Sequence, residues 1–228
     1  PAFVARGTSW IAAFFLVDFL YYWNHRLEHR VSLLWGHHSV HHSSPAFDLT
    51  TSLRVAWHDG ITTTLVYGVL ALVGVEPMML VALIQLNLLL QVWIHTTAIE
   101  RVRWLEGVIN TPAAHRVHHA SNAHVLDKNY GGFLMLWDRL FGTYLDEHEA
   151  VAVEPLRYGL TSGSVGSNPL RVTTAHYAAM AQLQRRCSTP TERVLAVLGP
   201  PEWTPKGRFT ATAPRSLWRR VLARSRTR

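Results

Sequence analysis

The chain has 228 residues, and only 16% of them are charged. It nevertheless contains fourteen histidines, which are the first indication of a chemical function. Eight of them fall in three short motifs: HRLEH at 25–29, HSVHH at 38–42 and HRVHH at 115–119. Within a motif they are mostly three or four positions apart, the spacing that brings side chains onto one side of an α-helix. One HxxxH occurs often by chance, whereas three such motifs together predict metal binding. The candidate ligands are His25, His29, His38, His41, His42, His115, His118 and His119.

A ninth candidate ligand lies in an apolar segment. Asn87, Gln91 and His95 recur there every four residues and form a polar stripe on an otherwise apolar helix. Polar side chains in such a setting usually face a cavity or the interior of a helix bundle. Asp18 stands on a similar stripe that leads to His25. It either orients a liganding imidazole or bonds a neighbouring helix, and the sequence leaves both interpretations open.

The number of histidines predicts how many metal ions are bound. Eight or nine imidazoles exceed the four ligands of a structural zinc site and the three of a catalytic one, so we expect two ions. Iron, zinc, copper and nickel all accept imidazole, and ligand type leaves the metal open. A single cysteine, Cys187, excludes internal disulfides and cysteine-based zinc motifs. A surface or pH-sensing role does not account for the repeated spacing.

The elements that position these motifs are expected to include membrane helices. Residues 8–23, 61–75 and 77–98 are long, apolar and poor in charge, although none is an unbroken run of 18 apolar residues. Glu76 and Pro77 join the last two segments and predict a helical hairpin, because proline suits the first turn of a helix. Cations follow the segments everywhere except at the hairpin tip. The positive-inside rule therefore places every histidine motif on the cytoplasmic face.

The predicted fold is all-α, a membrane helical bundle with a cytoplasmic-facing helical cap that carries a histidine-rich dimetal site. Thr111 and Pro112 supply an N-cap and a first-turn proline, which predicts that the third motif opens a helix. We expect residues 1–150 to form the membrane-embedded domain with the histidine motifs. Residues 151–214 are expected to be a C-terminal extension packed on the cap, and 215–228 a flexible basic tail.

The histidine motifs and their flanking residues resemble a known family. The segments YYWNHRLEH, LWGHHSVHHSS, WIHT and NTPAAHRVHHASN, with DKNYGGFLMLWDRLFGTY downstream, are similar to those of the fatty acid hydroxylase and sterol desaturase superfamily of membrane di-iron enzymes. The likeness runs from about residue 10 to residue 208. It implies an integral membrane oxidoreductase that uses two iron ions, dioxygen and external electrons to hydroxylate, cleave or desaturate a lipid.

The resemblance carries over to individual positions. It implies that the eight motif histidines bind iron and adds His95 from WIHT, while His37 lies beside a motif position and is interpreted as a neighbour. The residues expected around the ligands, or in the pocket beside them, are Asp18, Asn87, Gln91, His124, Asp127 and Asn129.

The expected partners are a lipid substrate, the membrane and an electron donor. The chain has no Gly-rich dinucleotide fingerprint, so electrons come from a donor protein or a soluble reductant. Nucleic acid is not an expected partner, because the arginine-rich tail has a single tryptophan beside it. The high ratio of arginine to lysine favours a bacterial source, and we expect the protein in the bacterial inner membrane. The alternatives are a hydrolytic metal-dependent membrane protein, which needs no dioxygen, and a non-enzymatic one, which consumes neither dioxygen nor reductant.

Overall fold

The computed structural model describes residues 7–205, and in this range the chain folds into α-helices, two short 3₁₀ helices and connecting loops. The helices are α1 (Gly7–Arg30), α2 (Ser32–His41), α3 (Asp59–Leu72), α4 (Pro77–Val92), α5 (Pro112–His119), α6 (Leu136–Leu140), α7 (Glu147–Val153), α8 (Pro169–Gln184) and α9 (Pro190–Leu198). The 3₁₀ helices are Leu49–Leu53 and Ala123–Val125. The all-α class is confirmed for the described part of the chain, and the basic tail at 215–228 lies outside it.

Helices α1, α3 and α4 pack together around an apolar core. The predicted hairpin is confirmed: α3 contacts α4, and α4 begins at Pro77. The Glu76 carboxylate caps α4 by accepting from the backbone N–H groups of Met78 (3.0 Å) and Met79 (2.6 Å). Such a cap satisfies backbone donors that have no partner within the helix. The buried side chains of this core are Ala13, Val17, Tyr67, Leu70, Val75, Met79, Leu80 and Leu83.

Three helices correspond to the predicted membrane segments. The segment 8–23 lies within α1, while α3 and α4 account for most of 61–75 and 77–98. Helix α4 ends at Val92, so His95 lies in the turn that follows and not on the helix as its four-residue stripe predicted. No helix between residues 7 and 205 combines the length and the hydropathy needed to cross a membrane. The predicted membrane-spanning bundle is therefore not confirmed.

Helix α2 lies between α1 and the C-terminal helices. Helices α8 and α9 both contact it, and the Ser32 backbone N–H at its start donates to the Gly199 carbonyl (2.8 Å). Gly36 faces the ring of Tyr177 so closely that a Cβ would lie 2.4 Å from that ring. A side chain at position 36 would therefore displace the Tyr177 ring and disturb the packing of α8 on α2. The boundary predicted at residue 150 stays a prediction.

Helix α5, which carries the third motif, is buried along its whole length. It begins where the sequence predicts, because Thr111 Oγ1 accepts from the Ala114 backbone N–H (3.1 Å) and Pro112 occupies the first turn. Thr111 in turn donates to the Glu106 carboxylate (2.7 Å). Val117 packs with the 3₁₀ residue Val125 and with α7, which fixes the direction of the helix.

Candidate metal centre

The three histidine motifs and His95 meet in the interior and form two clusters. The five-histidine cluster consists of His25, His29, His38, His42 and His118, and the four-histidine cluster of His41, His95, His115 and His119. In each cluster every histidine places one ring nitrogen within 4.8 Å of those of the others. The clusters touch, since the rings of His42 and His119 are stacked with centroids 4.3 Å apart. All nine predicted ligands are brought together, and their role as ligands stays a prediction.

The five-histidine cluster is centred on His38. Its Nε2 lies 3.0 Å from Nε2 of His25 and 3.1 Å from Nε2 of His42, and His42 Nε2 is 3.1 Å from Nε2 of His118. The His29 ring lies beside them, 4.7 Å from that of His42. Its Nε2 is buried and has no hydrogen-bond partner.

The four-histidine cluster has the same kind of geometry. His95 Nε2 lies 3.1 Å from His41 Nε2 and 2.9 Å from His115 Nε2, and His115 Nε2 lies 3.1 Å from His119 Nε2. The Nδ1 atom of His41 is buried without a hydrogen-bond partner. The ring of Phe47 covers one side, with its centroid 5.0 Å from that of His119.

Each HxxHH motif is divided between the two clusters. His38 and His42, four residues apart, belong to the five-histidine cluster, while His41 belongs to the other. In α5 the pair His115 and His119 stays together and His118 crosses over. A helix turns by about 100° per residue, so positions four apart differ by about 40° and adjacent positions by about 100°. The prediction that His38, His41 and His42 converge on one side is corrected for this reason.

Backbone carbonyls orient three of the imidazoles. The carbonyl oxygens of Tyr130, Lys128 and Gln91 lie 2.8, 2.9 and 2.8 Å from Nδ1 of His25, His118 and His95, respectively. A carbonyl only accepts, so each Nδ1 carries the proton and donates it. Each Nε2 then presents a lone pair to its cluster, which is the form of histidine that binds metal.

A tightly held loop supplies two of these carbonyls. Asp127 and Asn129 adopt left-handed backbone conformations, with φ of 62° and 56°, which non-glycine residues rarely do. The Asn129 side chain donates to the carbonyls of Ala114 (3.0 Å) and Leu145 (2.8 Å). Asp127 pairs with Arg30 (2.5 Å) and accepts from the Tyr130 hydroxyl (2.9 Å). Asp127 and Asn129 therefore act by shaping the loop and do not touch an imidazole themselves.

The polar stripes on α1 and α4 bond to each other. Asp18 accepts from the Asn87 side chain (3.2 Å), the Phe133 backbone N–H (3.0 Å) and the Trp137 indole (2.9 Å). Gln91 donates to the Asn87 side chain (2.5 Å), and its own carbonyl orients His95. Asp18 was expected either to orient a liganding imidazole or to form a hydrogen bond to a neighbouring helix. These contacts match the second interpretation. Asn87 and Gln91 connect Asp18 to the four-histidine cluster.

Two further residues, outside the clusters, are Glu28 and His124. Glu28 was not identified as a candidate from the sequence. Glu28 Oε2 accepts from His38 Nδ1 (3.1 Å), and Glu28 Oε1 accepts from His37 Nε2 (3.1 Å). The signal was present, because Glu28 lies within the first motif, one turn after His25. His124 lies apart from both clusters, and its Nε2 donates to the Ala150 carbonyl (2.9 Å).

The imidazoles with a lowered pKa are neutral at pH 7, namely those of His25, His29, His41, His42, His95, His115, His118 and His119. Burial, reinforced by the neighbouring imidazoles, lowers the pKa of His115, His118 and His119 well below the ordinary value of 6.5. Burial likewise lowers the pKa of His25 to about 3. For Glu28, burial alone would raise the pKa, but the donors on His38 and His37 hold it below its usual range. The centre thus contains neutral nitrogen donors and one ionised carboxylate beside them.

This donor set fits metal ions. His25 and His38 both donate through Nδ1, so the Nε2 atoms, which face each other at 3.0 Å, are the nitrogens left to bind a metal ion. Two nitrogens that are each about 2.1 Å from one ion, at right angles, are about 3.0 Å apart. The unpartnered Nε2 of His29 supplies a further donor.

A cavity reaches the five-histidine cluster. Its lining includes His29, His42 and His118, and also His119 of the other cluster. The remaining wall is made of Trp35, Ala120, Ser121, Leu126, Asp127, Gly159, Leu160, Thr161, Pro201 and Glu202. A second cavity shares five of these residues, among them Trp35, so the two cavities lie side by side.

Fold and site together define a class of protein: a helical protein in which three histidine motifs assemble two adjoining clusters with the spacing of metal ligands. The chain belongs to the fatty acid hydroxylase family, whose model matches residues 10–143. The resemblance predicted from the histidine motifs is thereby confirmed. No solved structure matches the chain.

The relatives have names of lipid-modifying enzymes. Alkylglycerol monooxygenase from Homo sapiens is 42% identical over 168 residues, which cover 74% of this chain and 36% of the human protein. Alkylglycerol monooxygenase from Danio rerio is 38% identical over 197 residues, or 86% of this chain and 43% of its own length. Ornithine lipid hydroxylase OlsE from Rhizobium tropici is 27% identical over 130 residues, or 57% and 39%. The chain spans less than half the length of each of these relatives.

Proposed function

We propose that this chain is the oxidative part of an iron-dependent lipid oxygenase, with one iron ion in each histidine cluster. The observation that carries the proposal is the convergence of nine imidazoles in two clusters, with the ring nitrogens of each cluster within 4.8 Å of one another. Iron accepts imidazole ligands, as do zinc, copper and nickel. Membership of the fatty acid hydroxylase family favours iron and oxidation among these possibilities.

The proposed reaction inserts one oxygen atom into a lipid C–H bond. It balances as R–H plus O2, two electrons and two protons giving R–OH and water, so a reductant outside this chain supplies the electrons. Bound iron ions would supply the activation of dioxygen. The chain holds the imidazoles in one tautomer, keeps bulk water from the buried clusters and places the lipid in the cavity beside His29, His42 and His118.

The cavity is suited to a lipid that has hydroxyl groups at one end. Trp35, Leu126 and Leu160 offer apolar walls, while Asp127 and Glu202 offer carboxylates that accept from hydroxyl groups. We therefore include ether lipids of glycerol among the proposed substrates, in line with the names of the relatives. Hydroxylation of the carbon beside the ether oxygen gives a hemiacetal, which separates into an aldehyde and an alcohol.

The hairpin of α3 and α4 is the proposed contact with lipid. Leu65, Leu72 and Leu89 on it are 70%, 87% and 68% exposed, and Trp57 and Trp104 nearby are 82% and 79% exposed. Exposed apolar side chains on this scale mark a surface that contacts lipid or another protein. Tryptophan is enriched where a protein meets a lipid interface. Binding of the chain to lipid vesicles, measured by flotation, tests this part of the proposal.

The test of function begins with metal analysis. The full chain, purified in detergent and loaded anaerobically with Fe(II), is expected to hold two iron ions. With a chemical reductant, it should consume dioxygen only when a lipid from a panel of alkylglycerols, fatty acids and sterols is present. Product formation without dioxygen would instead indicate a metal-dependent hydrolase and would overturn the proposal.

A matched pair of variants assigns the activity to the clusters. His118→Ala removes a nitrogen from the five-histidine cluster, so we expect weaker iron binding in that cluster and no turnover. His124→Ala removes a histidine that lies outside both clusters, and we expect it to keep both iron ions. Retained turnover in His118→Ala would contradict the assignment.

A further inference from the structure

Glu28 is a buried carboxylate at the edge of the five-histidine cluster. Its side chain is 8% exposed, and a buried carboxylate is stable only when donors satisfy it. Oε1 accepts from the Asn24 side chain (2.6 Å) and from His37 Nε2 (3.1 Å), and Oε2 accepts from His38 Nδ1 (3.1 Å). Asp59 lies on the far side of His37, with Oδ1 3.7 Å from Nε2.

The carboxylate determines the tautomer of His38. It accepts only, so His38 Nδ1 must carry a proton and Nε2 is the nitrogen left to bind a metal ion. That Nε2 is the atom that lies within 3.1 Å of Nε2 of both His25 and His42. Glu28 thus fixes the orientation of the imidazole at the centre of this cluster.

The two clusters differ in this respect. Between residues 7 and 205 the ion pairs of the nine histidines involve a single carboxylate, that of Glu28. Nδ1 of His25, His118 and His95 bonds to a neutral backbone carbonyl, and Nδ1 of His115 lies 3.5 Å from the neutral side-chain amide of Asn110. An anionic partner raises the basicity of an imidazole more than a neutral carbonyl does, and so strengthens its bond to a metal ion.

We propose that Glu28 is a positioning residue that orients His38 and makes the five-histidine cluster the tighter of the two metal sites, with His37 holding the carboxylate in place. The inference rests on the proposed function only in requiring that both clusters bind a metal ion. Loss of a partner of this kind lowers metal affinity by about 10- to 100-fold.

The test is an anaerobic Co²⁺ titration of the full chain, in which the visible absorbance reports each site as it fills. In Glu28→Gln the side-chain carbonyl can accept from one of the two imidazole N–H groups, and its NH2 group opposes the other. We expect the tighter of two phases to weaken by about 10- to 100-fold and the other to stay unchanged. His37→Ala leaves the bond from Glu28 to His38 and should weaken the same phase by less. This variant also serves if Glu28→Gln does not fold.

Glu154→Gln is the control, because Glu154 is a half-exposed carboxylate 3.6 Å from His124, a histidine outside both clusters. It should leave both phases as they are. The inference is wrong if Glu28→Gln leaves the tighter phase unchanged, or weakens both phases together with the thermal stability of the metal-free chain. It is also wrong if Glu28→Gln removes a third bound ion and spares these two, since Glu28, His37 and Asp59 would then be a metal site themselves. A wild-type chain that binds fewer than two ions would refute the proposed function instead.

Discussion

His41 and His42 are adjacent in sequence, and the structure predicts that they serve different metal ions. Nε2 of His42 lies 3.1 Å from that of His38, and Nε2 of His41 lies 3.1 Å from that of His95. Replacing His42 by alanine leaves the five-histidine cluster four donors, and replacing His41 leaves the other cluster three. Neither substitution removes a nitrogen from the neighbouring cluster.

The size of the effect follows from the contribution of one ligand. Structural sites with four ligands bind Zn²⁺ with a free energy of about 10–16 kcal/mol, which is about 3 kcal/mol per ligand. A free energy of about 1.4 kcal/mol corresponds to a factor of ten in affinity, so loss of one imidazole should lower the affinity for the ion by about 100-fold or more. We expect the larger effect for His41→Ala, because a cluster left with three imidazoles has no donor in reserve.

Anaerobic Co²⁺ titration separates the two ions, and two reference variants assign the phases. His118→Ala marks the five-histidine cluster and His95→Ala marks the four-histidine cluster. His42→Ala should weaken the phase that His118→Ala weakens, and His41→Ala the phase that His95→Ala weakens. If both neighbours weaken the same phase, or the assignments are exchanged, the division of the HxxHH motifs is wrong.

The remaining predictions concern stability. Thr111→Ala removes the N-cap of α5 and should lower the free energy of unfolding by about 1 kcal/mol in urea denaturation, while Thr111→Ser should keep most of it. For pH, buried histidines such as His25, with a pKa of about 3 when folded and 6.5 when unfolded, bind protons mainly in the unfolded chain. The metal-free chain should therefore keep its full stability above about pH 6.5 and lose stability as the pH falls from there toward 3, and a flat urea midpoint between pH 7 and pH 5 would contradict this.

The sequence was enough to identify the clustered histidines, because residues four apart on a helix lie on the same side and their spacing marks them as candidate ligands. It did not predict which of them share a cluster, because that depends on how α2 and α5 are rotated toward each other. His95 was identified because it continues the four-residue spacing of Asn87 and Gln91. In the structure α4 ends at Val92, and the turn that follows places His95 in the cluster. There the spacing identified the residue although the assumed helix was too long.

The supporting contacts were hidden for a different reason. The carbonyls of Lys128 and Tyr130 belong to the backbone, and only the unusual conformations of Asp127 and Asn129 bring them to the imidazoles. No residue type encodes a carbonyl, so a motif search cannot find one. Glu28 was missed because a carboxylate among basic residues on a helix is ordinarily a solvated charge.

The division of the motifs also determines what keeps the two sites apart. Helices α2 and α5 each contribute imidazoles to both clusters, so the separation of the sites is fixed by the rise and turn of a helix and not by a loop. Thr111 and the packing of Val117 hold α5, and Gly36 lets α8 lie close against α2. A substitution that moves either helix along its axis would displace donors in both clusters at once. Damage to these supports should therefore reduce the binding of both ions, whereas loss of one histidine reduces that of one.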